Sequence, residues 1–260
     1  MTKPDSNTST TALRALRVLE ILGGSRTPVP VAFVAQSISA DRSTAYRMLA
    51  TLMDAGYVER DATTKNYKLS YKVLALTKFV LSEDSTAELV MASLRRISEQ
   101  TSETVHYCVL DQMETVLLYR VKGTQLVAVD FKIGDRSPLH CTSIGKLMLS
   151  HQDERVVEKV IEQGLAPRAR RTITEADALR QELRRVRRQG YAYDEFEFAD
   201  DMRCVAVPVY TKGGSLHGGI SLSGPSSRYT QDKLAELRDI ALGEARELSA
   251  RLGCEAANLS

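Results

Sequence analysis

The stretch from Asp41 to Gly56, Asp-Arg-Ser-Thr-Ala-Tyr-Arg-Met-Leu-Ala-Thr-Leu-Met-Asp-Ala-Gly, constrains this chain more than any other. Its spacing predicts one short helix with its own start and stop signals. Asp41 suits the N-cap, because a carboxylate there accepts the orphan backbone N–H groups of the first turn. Ala45, Met48, Leu49 and Leu52 recur at helical spacing and form one apolar stripe. Arg42, Ser43, Thr44, Tyr46, Arg47 and Thr51 fall on the other side, mostly in the N-terminal half. Gly56 fits the C′ position, where the left-handed conformation is needed. A face of this kind has the groups that DNA requires. Arginine forks onto guanine or phosphate, while hydroxyls and a tyrosine hold phosphate oxygens. Polar faces are also the rule on ordinary surface helices, so the neighbours must decide.

Those neighbours form a series. Leu13, Leu16, Leu19 and the Ile21-Leu22 pair predict an amphipathic helix from Thr11 to Leu22, ended by Gly23-Gly24. Arg26-Thr-Pro-Val-Pro30 reads as a loop with Pro30 at a helix N1 position. Val31, Val34, Ala35 and Ile38 make a second short stripe, and only Ser39-Ala40 separates it from the Asp41 cap. Two short helices joined this tightly form a helix-turn-helix, with the first helix completing the core. After Gly56 the period changes to strand-like runs, Tyr57–Arg60 and Tyr67–Leu69, around a turn-rich tip, Asp61–Asn66. That is the winged form of the motif. Lys65, with Arg60 and Lys68, is placed on the wing to meet phosphate or the minor groove, although each alone reads equally as ordinary surface charge.

Charge supports a basic head. The whole chain carries a formal +2, but Ala12 to Lys72 holds nine Lys/Arg against five Asp/Glu. From Val73 onward the balance is 25 against 27. Contact with nucleic acid through the head is compatible with this distribution.

Beyond the head, Val73–Leu81 reads as an apolar linker helix that packs either on another subunit or on its own second domain. The second domain opens with a helix over Ala87–Gln100, with Leu89, Ala92, Leu94 and Ile97 inward. Strands are expected over Thr104–Leu110, Thr115–Val121, Leu126–Phe131, Val205–Val209 and Gly218–Ser223. Helices are expected through Gly145–Leu149 and Asp153–Glu162. A third, opened by a capping-box-like Thr174-Glu-Ala-Asp177, ends at Gly190, and a long final helix is capped by Thr230, with Leu234, Leu237, Ile240 and Leu248 on its inner stripe. The fold class is α+β, an antiparallel sheet flanked by helices. The division is a disordered arm over 1–11, a winged helix-turn-helix over 12–72, a linker helix over 73–84 and an effector-binding domain over 85–254.

The sequence offers binding chemistry rather than catalysis. It has no P-loop, no Gly-x-Gly-x-x-Gly, no His-Glu-x-x-His and no Gly-x-Ser-x-Gly. The pairs His106/Cys108 and His140/Cys141 lack the spacing of a closed zinc site and read as core or pocket lining, so neither metal nor cofactor is expected. Four scattered cysteines without a Cys-x-x-Cys pair, no signal peptide and no apolar run of about 18–20 residues point to a soluble cytoplasmic protein. The arginines at 168, 170, 171, 180, 184, 185, 187 and 188 are interleaved with Leu179, Leu183 and Val186, as on a solvated helix face. His140-Cys-Thr-Ser143 runs into a helix N-terminus, which favours a carboxylate. Ser221 and Ser223 share one strand face, and Asp194 and Cys204 border it. These groups suit a small-metabolite site. One rival is an enzyme with an accessory head, using Cys204 or Asp194; the other is a head that binds only protein.

At the level of ordered motifs the chain resembles the IclR (isocitrate lyase regulator) family of bacterial transcriptional regulators, from about Ala12 to Leu252. In the head the motifs are Ala15-Leu16-x-Val18-Leu19-x-Ile21-Leu22, Asp41–Leu49, Gly56-Tyr57-Val58 and Tyr67-x-Leu69. In the second domain they are Pro138-Leu-His140 through Gly145-Lys146, Gly190-Tyr-Ala-x-Asp194-x-x-Glu197, Arg203-Cys204-x-Ala206-x-Pro208 and Ser221-x-Ser223-Gly-Pro225. The resemblance implies a GAF-like effector domain. It further implies homodimers pairing through heads and linkers, often as tetramers, that bind palindromic double-stranded operators, with a repressor as the expected sense. For effectors that are small carboxylic acids it implies a pocket at Leu126, Val129, Ser143, Ile144, Asp194, Met202, Cys204, Ser221 and Ser223. Three departures stand out. Ser70 replaces a glycine common after the wing, Phe196 replaces an acidic residue, and Ser143-Ile144 are larger than in members that recognise very small acids.

Overall fold

The computed structural model describes residues 8–77 and 85–255. Most of the expected arm (1–7) and of the linker (78–84) lies outside the described residues. Contacts divide the chain into one unit over Met1–Ser82 and another over Glu83–Ser260.

The first unit has three helices, α1 (Thr10–Gly23), α2 (Val31–Ser37) and α3 (Arg42–Asp54), followed by a hairpin of β1 (Val58–Arg60) and β2 (Tyr67–Leu69). The α3 stripe is buried as its spacing requires, and packs with Val18, Leu22, Val34, Ala35, Ile38, Val58 and Tyr67. Asp41 caps α3, one carboxylate oxygen accepting the Thr44 N–H at 2.8 Å and the other the Thr44 hydroxyl at 2.8 Å. Gly56 takes φ +80° one residue past the Ala55 C-cap, which turns the chain into the wing. Val29 bridges Tyr67 and lays the loop before α2 along the hairpin.

Three local expectations need correcting here. Pro30 is the N-cap of α2, one position ahead of N1, because its extended φ/ψ belongs to the incoming strand-like bridge. The first helix starts at Thr10, capped by Ser9. Leu13 and Leu16 are 48% and 58% exposed, since the head core reaches only the C-terminal half of α1, where Val18 and Leu22 sit. After β2 the chain makes one 3-10 turn (Tyr71–Val73) and a short helix, α4 (Leu74–Thr77), whose leucines are exposed.

Ser70, the residue that departs from the family glycine, closes the wing onto α3. Its hydroxyl donates to the Gly56 carbonyl at 2.5 Å and accepts from the Lys72 N–H at 3.1 Å. Ser70→Ala is therefore expected to cost about 1 kcal/mol, since it strands a part-buried carbonyl. Chemical denaturation of the full chain measures this, and an unchanged midpoint for head unfolding would contradict it.

The second unit is a six-stranded antiparallel sheet in the order β5-β4-β3-β8-β7-β6. Its strands are β3 (Val105–Asp111), β4 (Glu114–Val121), β5 (Arg136–Pro138), β6 (Ala192–Glu195), β7 (Met202–Tyr210) and β8 (Leu216–Pro225). Helices α5 (Ser85–Thr101) and α9 (Gln231–Arg251) cover one face, through Val105, Tyr107, Val205, Val207 and Leu222. Helices α6 (Ser143–Leu149), α7 (Glu154–Glu162) and α8 (Ala176–Gln189) lie over the other face, with Cys108, Leu117 and Ala206. Side chains alternate between faces along the strands, except at the register shifts beside Tyr107/Cys108 and Val209/Tyr210, so that Leu117 and Tyr119 face opposite layers.

Here too the structure departs from the sequence reading. Leu126–Phe131 is not a strand; the segment from Lys122 to Asp135 is irregular and the edge strand falls instead at Arg136–Pro138. Its backbone is held by local anchors rather than by strand pairing, and Leu126 and Val127 stay exposed. Arg120 donates to the Phe131 carbonyl at 2.5 Å and Arg228 to that of Val127 at 2.9 Å. Strand β6 gives no strong signal in sequence, being four residues with two polar members. Helix α8 begins at Ala176 after Glu175, with no side-chain cap bond, so Thr174 and Asp177 do not form a capping box. Asp177 pairs with Arg180 instead, at 2.8 Å. The arginine-rich face of α8 is the solvated one, while Leu179, Leu183 and Val186 are buried.

Candidate functional site: a recognition face and an enclosed cavity

In the head, α3 presents Arg42, Ser43, Tyr46, Arg47 and Thr51 to solvent, because the cap at Asp41 and the buried stripe fix the helix rotation. Among the described residues neither Arg42 nor Arg47 forms an ion pair, so both guanidinium groups keep their donors for an external partner. Thr44 is half-buried and its hydroxyl donates to Asp41; the Thr51 hydroxyl donates to the Arg47 carbonyl at 2.9 Å. These two threonines support the face more than they extend it. Arg14 and Ala15 of α1 lie along the same groove as Arg47 and Thr51, a neighbour that the sequence pattern of α3 alone does not reveal.

On the wing the three cations have different duties. Arg60 donates to the Lys65 carbonyl at 2.8 Å and lies over the Tyr67 ring, and Lys68 faces Glu59 at 3.6 Å. Asp61 caps the tip through the Thr63 and Thr64 N–H groups. Lys65, at φ +57°, is exposed at the tip and forms no ion pair among the described residues. It is the wing cation free to meet a phosphate.

In the second unit a cavity lies between the sheet and the start of α6. Seven of the nine effector positions carried over from the family line it: Ser143, Ile144, Asp194, Met202, Cys204, Ser221 and Ser223. The register explains the convergence. Asp194 pairs with Cys204, Cys204 with Ser223, and Ser221 with His106, all on the face that looks toward α6. Leu126 and Val129 do not line the cavity. Leu126 is fully exposed and Val129 half-buried, because their segment is a loop anchored by its carbonyls rather than a strand aimed inward. Phe131, Asp135 and Ser137 supply that wall instead, with His106, Cys108, Thr115, Leu117 and Thr142 completing the lining. Alternation along β3 was the available signal for His106 and Cys108, yet only the β3–β8 pairing shows which face they join.

The α6 end is built tightly. The Thr142 hydroxyl accepts the Gly145 N–H at 2.9 Å and donates to the Pro138 carbonyl at 2.9 Å. A Cβ at position 145 would lie 2.4 Å from that carbonyl oxygen, so the approach demands glycine. His140 turns away from the cavity, its Nε2 meeting the Ala166 carbonyl at 3.1 Å. The expected His140–Ser143 cluster therefore contributes Thr142 and Ser143 but not His140.

Asp194 is wholly buried. Its carboxyl accepts the Glu197 N–H at 2.8 Å, with the Cys204 thiol 3.8 Å away. Burial raises its pKa to about 7, against the lowering effect of the Glu197 N–H; the Glu197 charge adds to the rise and Lys146 opposes it. Behind it Lys146, 1% exposed, bridges Glu197 at 2.5 Å and Glu182 at 3.0 Å, and Arg185 holds Glu182 from outside. Burial likewise lifts Glu197 above the usual carboxylate range, with Lys146 pulling against it. Phe196 takes φ +70° and its ring lies under the guanidinium groups of Arg170 and Arg203, a stacking role that an acidic residue there could not fill.

The cavity is not equipped for covalent chemistry. Burial raises the Cys204 thiol well above its ordinary value, and the Asp194 charge raises it further, so no thiolate is available. Cys108 is pushed up to about 12 by burial. What the site offers is four serine hydroxyls, a carboxyl poised near neutrality and apolar walls at Leu117, Phe131, Ile144 and Met202. No lysine or arginine lines it. The space that the centre of a water-sized body can reach is about 30 Å³, enough for one or two waters. Of the cavity's lining, Phe131, Asp135 and the Thr142 cap lie outside helices and strands.

Known proteins match both units. The model for the C-terminal domain of the bacterial transcriptional regulator IclR matches residues 78–250, and that for the IclR helix-turn-helix domain matches residues 11–62. The HTH-type transcriptional regulator KdgR of Escherichia coli K12 is 32% identical over 252 residues, covering 96% of this chain and 95% of its own. The crystal structure of Thermotoga maritima IclR superposes with a TM-score of 0.76 at 30% identity, covering 94% of this chain and 98% of that one. An IclR homologue from Microbacterium hydrocarbonoxydans, solved in complex with 4-hydroxybenzoate, shares the fold with a TM-score of 0.78 at 23% identity, covering 92% of this chain and 99% of that one.

Proposed function

The chain belongs to the IclR family of bacterial transcriptional regulators, and from that premise we propose that it represses its target genes through an effector-controlled grip on a palindromic operator. It is a regulator and not an enzyme. The observation that carries the proposal is the coexistence, in one chain, of an Arg42–Arg47 face on α3 with no ion pair among the described residues and a cavity in the second unit lined by serines, Asp194 and apolar side chains. Arg47 and Arg42 contact DNA, Ser43, Thr44, Tyr46 and Thr51 set the helix on the backbone, and Lys65 reaches phosphate from the wing.

A homodimer is the working unit, itself able to pair into a tetramer. The exposed Leu13 and Leu16 of α1, and Tyr71, Leu74 and Leu76 after the wing, are the apolar surface that such pairing covers. Two recognition helices then enter successive major grooves about 34 Å apart. Effector binding favours one dimer geometry over another, with a coupling of about 1–3 kcal/mol between sites. The place of action is the cytoplasm, where bacterial DNA lies.

The effector is a small organic acid. A cavity without a lysine or arginine holds a carboxylate through the serine hydroxyls and through Asp194 in its protonated form. The same kind of ligand occupies the Microbacterium homologue. The function is tested by titrating the full chain onto DNA from upstream of its own gene at two salt concentrations, with and without members of a small-acid panel. Salt-dependent binding that an acid shifts is expected. Failure to bind any fragment, or binding blind to salt, would sink the reading.

A pH effect follows from Asp194. An anionic ligand beside it raises its pKa further, so binding takes up a proton. Affinity for an acid from the panel should rise as pH falls from 8 to 6, approaching tenfold per unit on the alkaline side of about 7. Asp194→Asn should flatten that slope. Calorimetric affinities independent of pH would show that Asp194 does not face the carboxylate.

A further inference from the structure

Of the side chains that line the cavity, His106 is the one with buried polar atoms left without a well-formed hydrogen bond, and the effector reading does not use it. His106 is 1% exposed, lines the cavity, and neither ring nitrogen has a hydrogen-bond partner of good geometry. Burial, then the nearby Arg120 charge, lowers its pKa to about 4, opposed weakly by the Ser221 backbone, so at neutral pH the ring is uncharged. A neutral imidazole offers one donor and one acceptor. The Ser221 backbone meets the ring only weakly, and leaving the rest of that capacity unmatched in a buried site is costly, which native interiors rarely do.

Its position defines what could match it. His106 sits on β3 opposite Ser221 of β8, whereas Asp194 sits on β6 opposite Cys204 of β7. From β6 to β3 is three strand-to-strand steps of about 4.8 Å each, all on one face of the sheet. A molecule held only at the Asp194–Cys204 end therefore stops short of the ring. Between the two ends the sheet presents Cys204, Ser223 and Ser221, the apolar lining is Leu117, Phe131, Ile144 and Met202, and the Phe131 ring meets His106 edge-on at 5.8 Å. Arg120, the nearest cation, is committed to Asp130 and the Phe131 carbonyl.

We infer that His106 reads the far end of the effector, and that the effector is a two-ended acid: a carboxylate at one end, an apolar body, and a hydroxyl at the other. A hydroxyl matches the ring because it both donates and accepts. This rests on the organic-acid reading above and deepens it by naming a specificity-determining residue.

Calorimetry on the full chain with matched pairs tests it, benzoate against 4-hydroxybenzoate and hexanoate against 6-hydroxyhexanoate. In at least one pair the hydroxylated member should bind about tenfold tighter or more. His106→Leu should erase that preference, and His106→Asn, which keeps a donor and an acceptor, should restore part of it. Equal binding within both pairs, or a preference that survives His106→Leu, overturns the assignment of His106 while leaving the acid-binding cavity intact. If His106→Leu does not fold, His106→Phe takes its place as the variant without donor or acceptor, and the wild-type pairs alone still decide the ligand class. No binding by any of the four acids overturns the cavity reading and this inference together.

Discussion

Replacing Lys146 by methionine is expected to destabilise the second unit by about 3–5 kcal/mol, the cost of removing one partner from a buried ion pair. Methionine fills nearly the same volume, so the loss is electrostatic rather than a cavity. Lys146 is 1% exposed and donates to both Glu197 and Glu182, and without it Glu197 is left as a buried carboxyl with no cation. Glu182 keeps Arg185. The deficit should depend on pH in a defined direction. Burial already raises Glu197 above its ordinary value of 4.5, and loss of the Lys146 charge raises it further. A group whose folded pKa is raised holds its stability below the unfolded value and loses it as pH rises through the folded one. The variant should thus be closest to wild type near pH 4.5 and fall behind toward neutrality. Urea denaturation across that range measures it, and Glu197→Gln in the same chain should recover part of the loss. A deficit below about 1 kcal/mol at pH 7 would mean that solvent reaches the pair.

Arg47→Ala should weaken operator binding by about 1–3 kcal/mol per head, roughly 5- to 150-fold, without altering the unfolding midpoint. Arg47 follows the capped first turn of α3 on its exposed side, it has no ion pair among the described residues, and Arg14 flanks the same groove. The variant also separates two kinds of contact. If Arg47 reads a base, the salt dependence of binding stays and sequence preference relaxes; if it holds phosphate, the salt slope falls by about one per head and preference stays. Wild-type affinity in a salt-controlled gel-shift titration would remove Arg47 from the interface. Lys65→Ala, at the wing tip, should act in the same direction and more weakly.

Local chemistry made the head legible in the sequence. The Asp41 cap, the 45–48–49–52 stripe and Gly56 are each decided within one or two turns of chain, and each is found in place. The same locality explains the misreadings. Leu13 and Leu16 have helical spacing, yet whether a stripe is covered depends on what lies opposite, and nothing of the head core does. Leu126–Phe131 has the composition of a strand, but the edge beside β4 is occupied by Arg136–Pro138, and two arginines anchor the loop by its carbonyls.

The cavity divides along the same line. From the sequence alone came the two-unit organisation, the recognition face and the serine, aspartate and cysteine positions that family resemblance carried over. Tertiary structure alone decided that Leu126 and Val129 stand outside the cavity while His106 and Phe131 stand inside it, and that Lys146 is a buried bridge behind Asp194. The physical reason is pairing at long range. Strand β3 lies against β8 across more than a hundred residues. No period in the chain states which faces that pairing brings together, whereas a helix cap is complete within four residues.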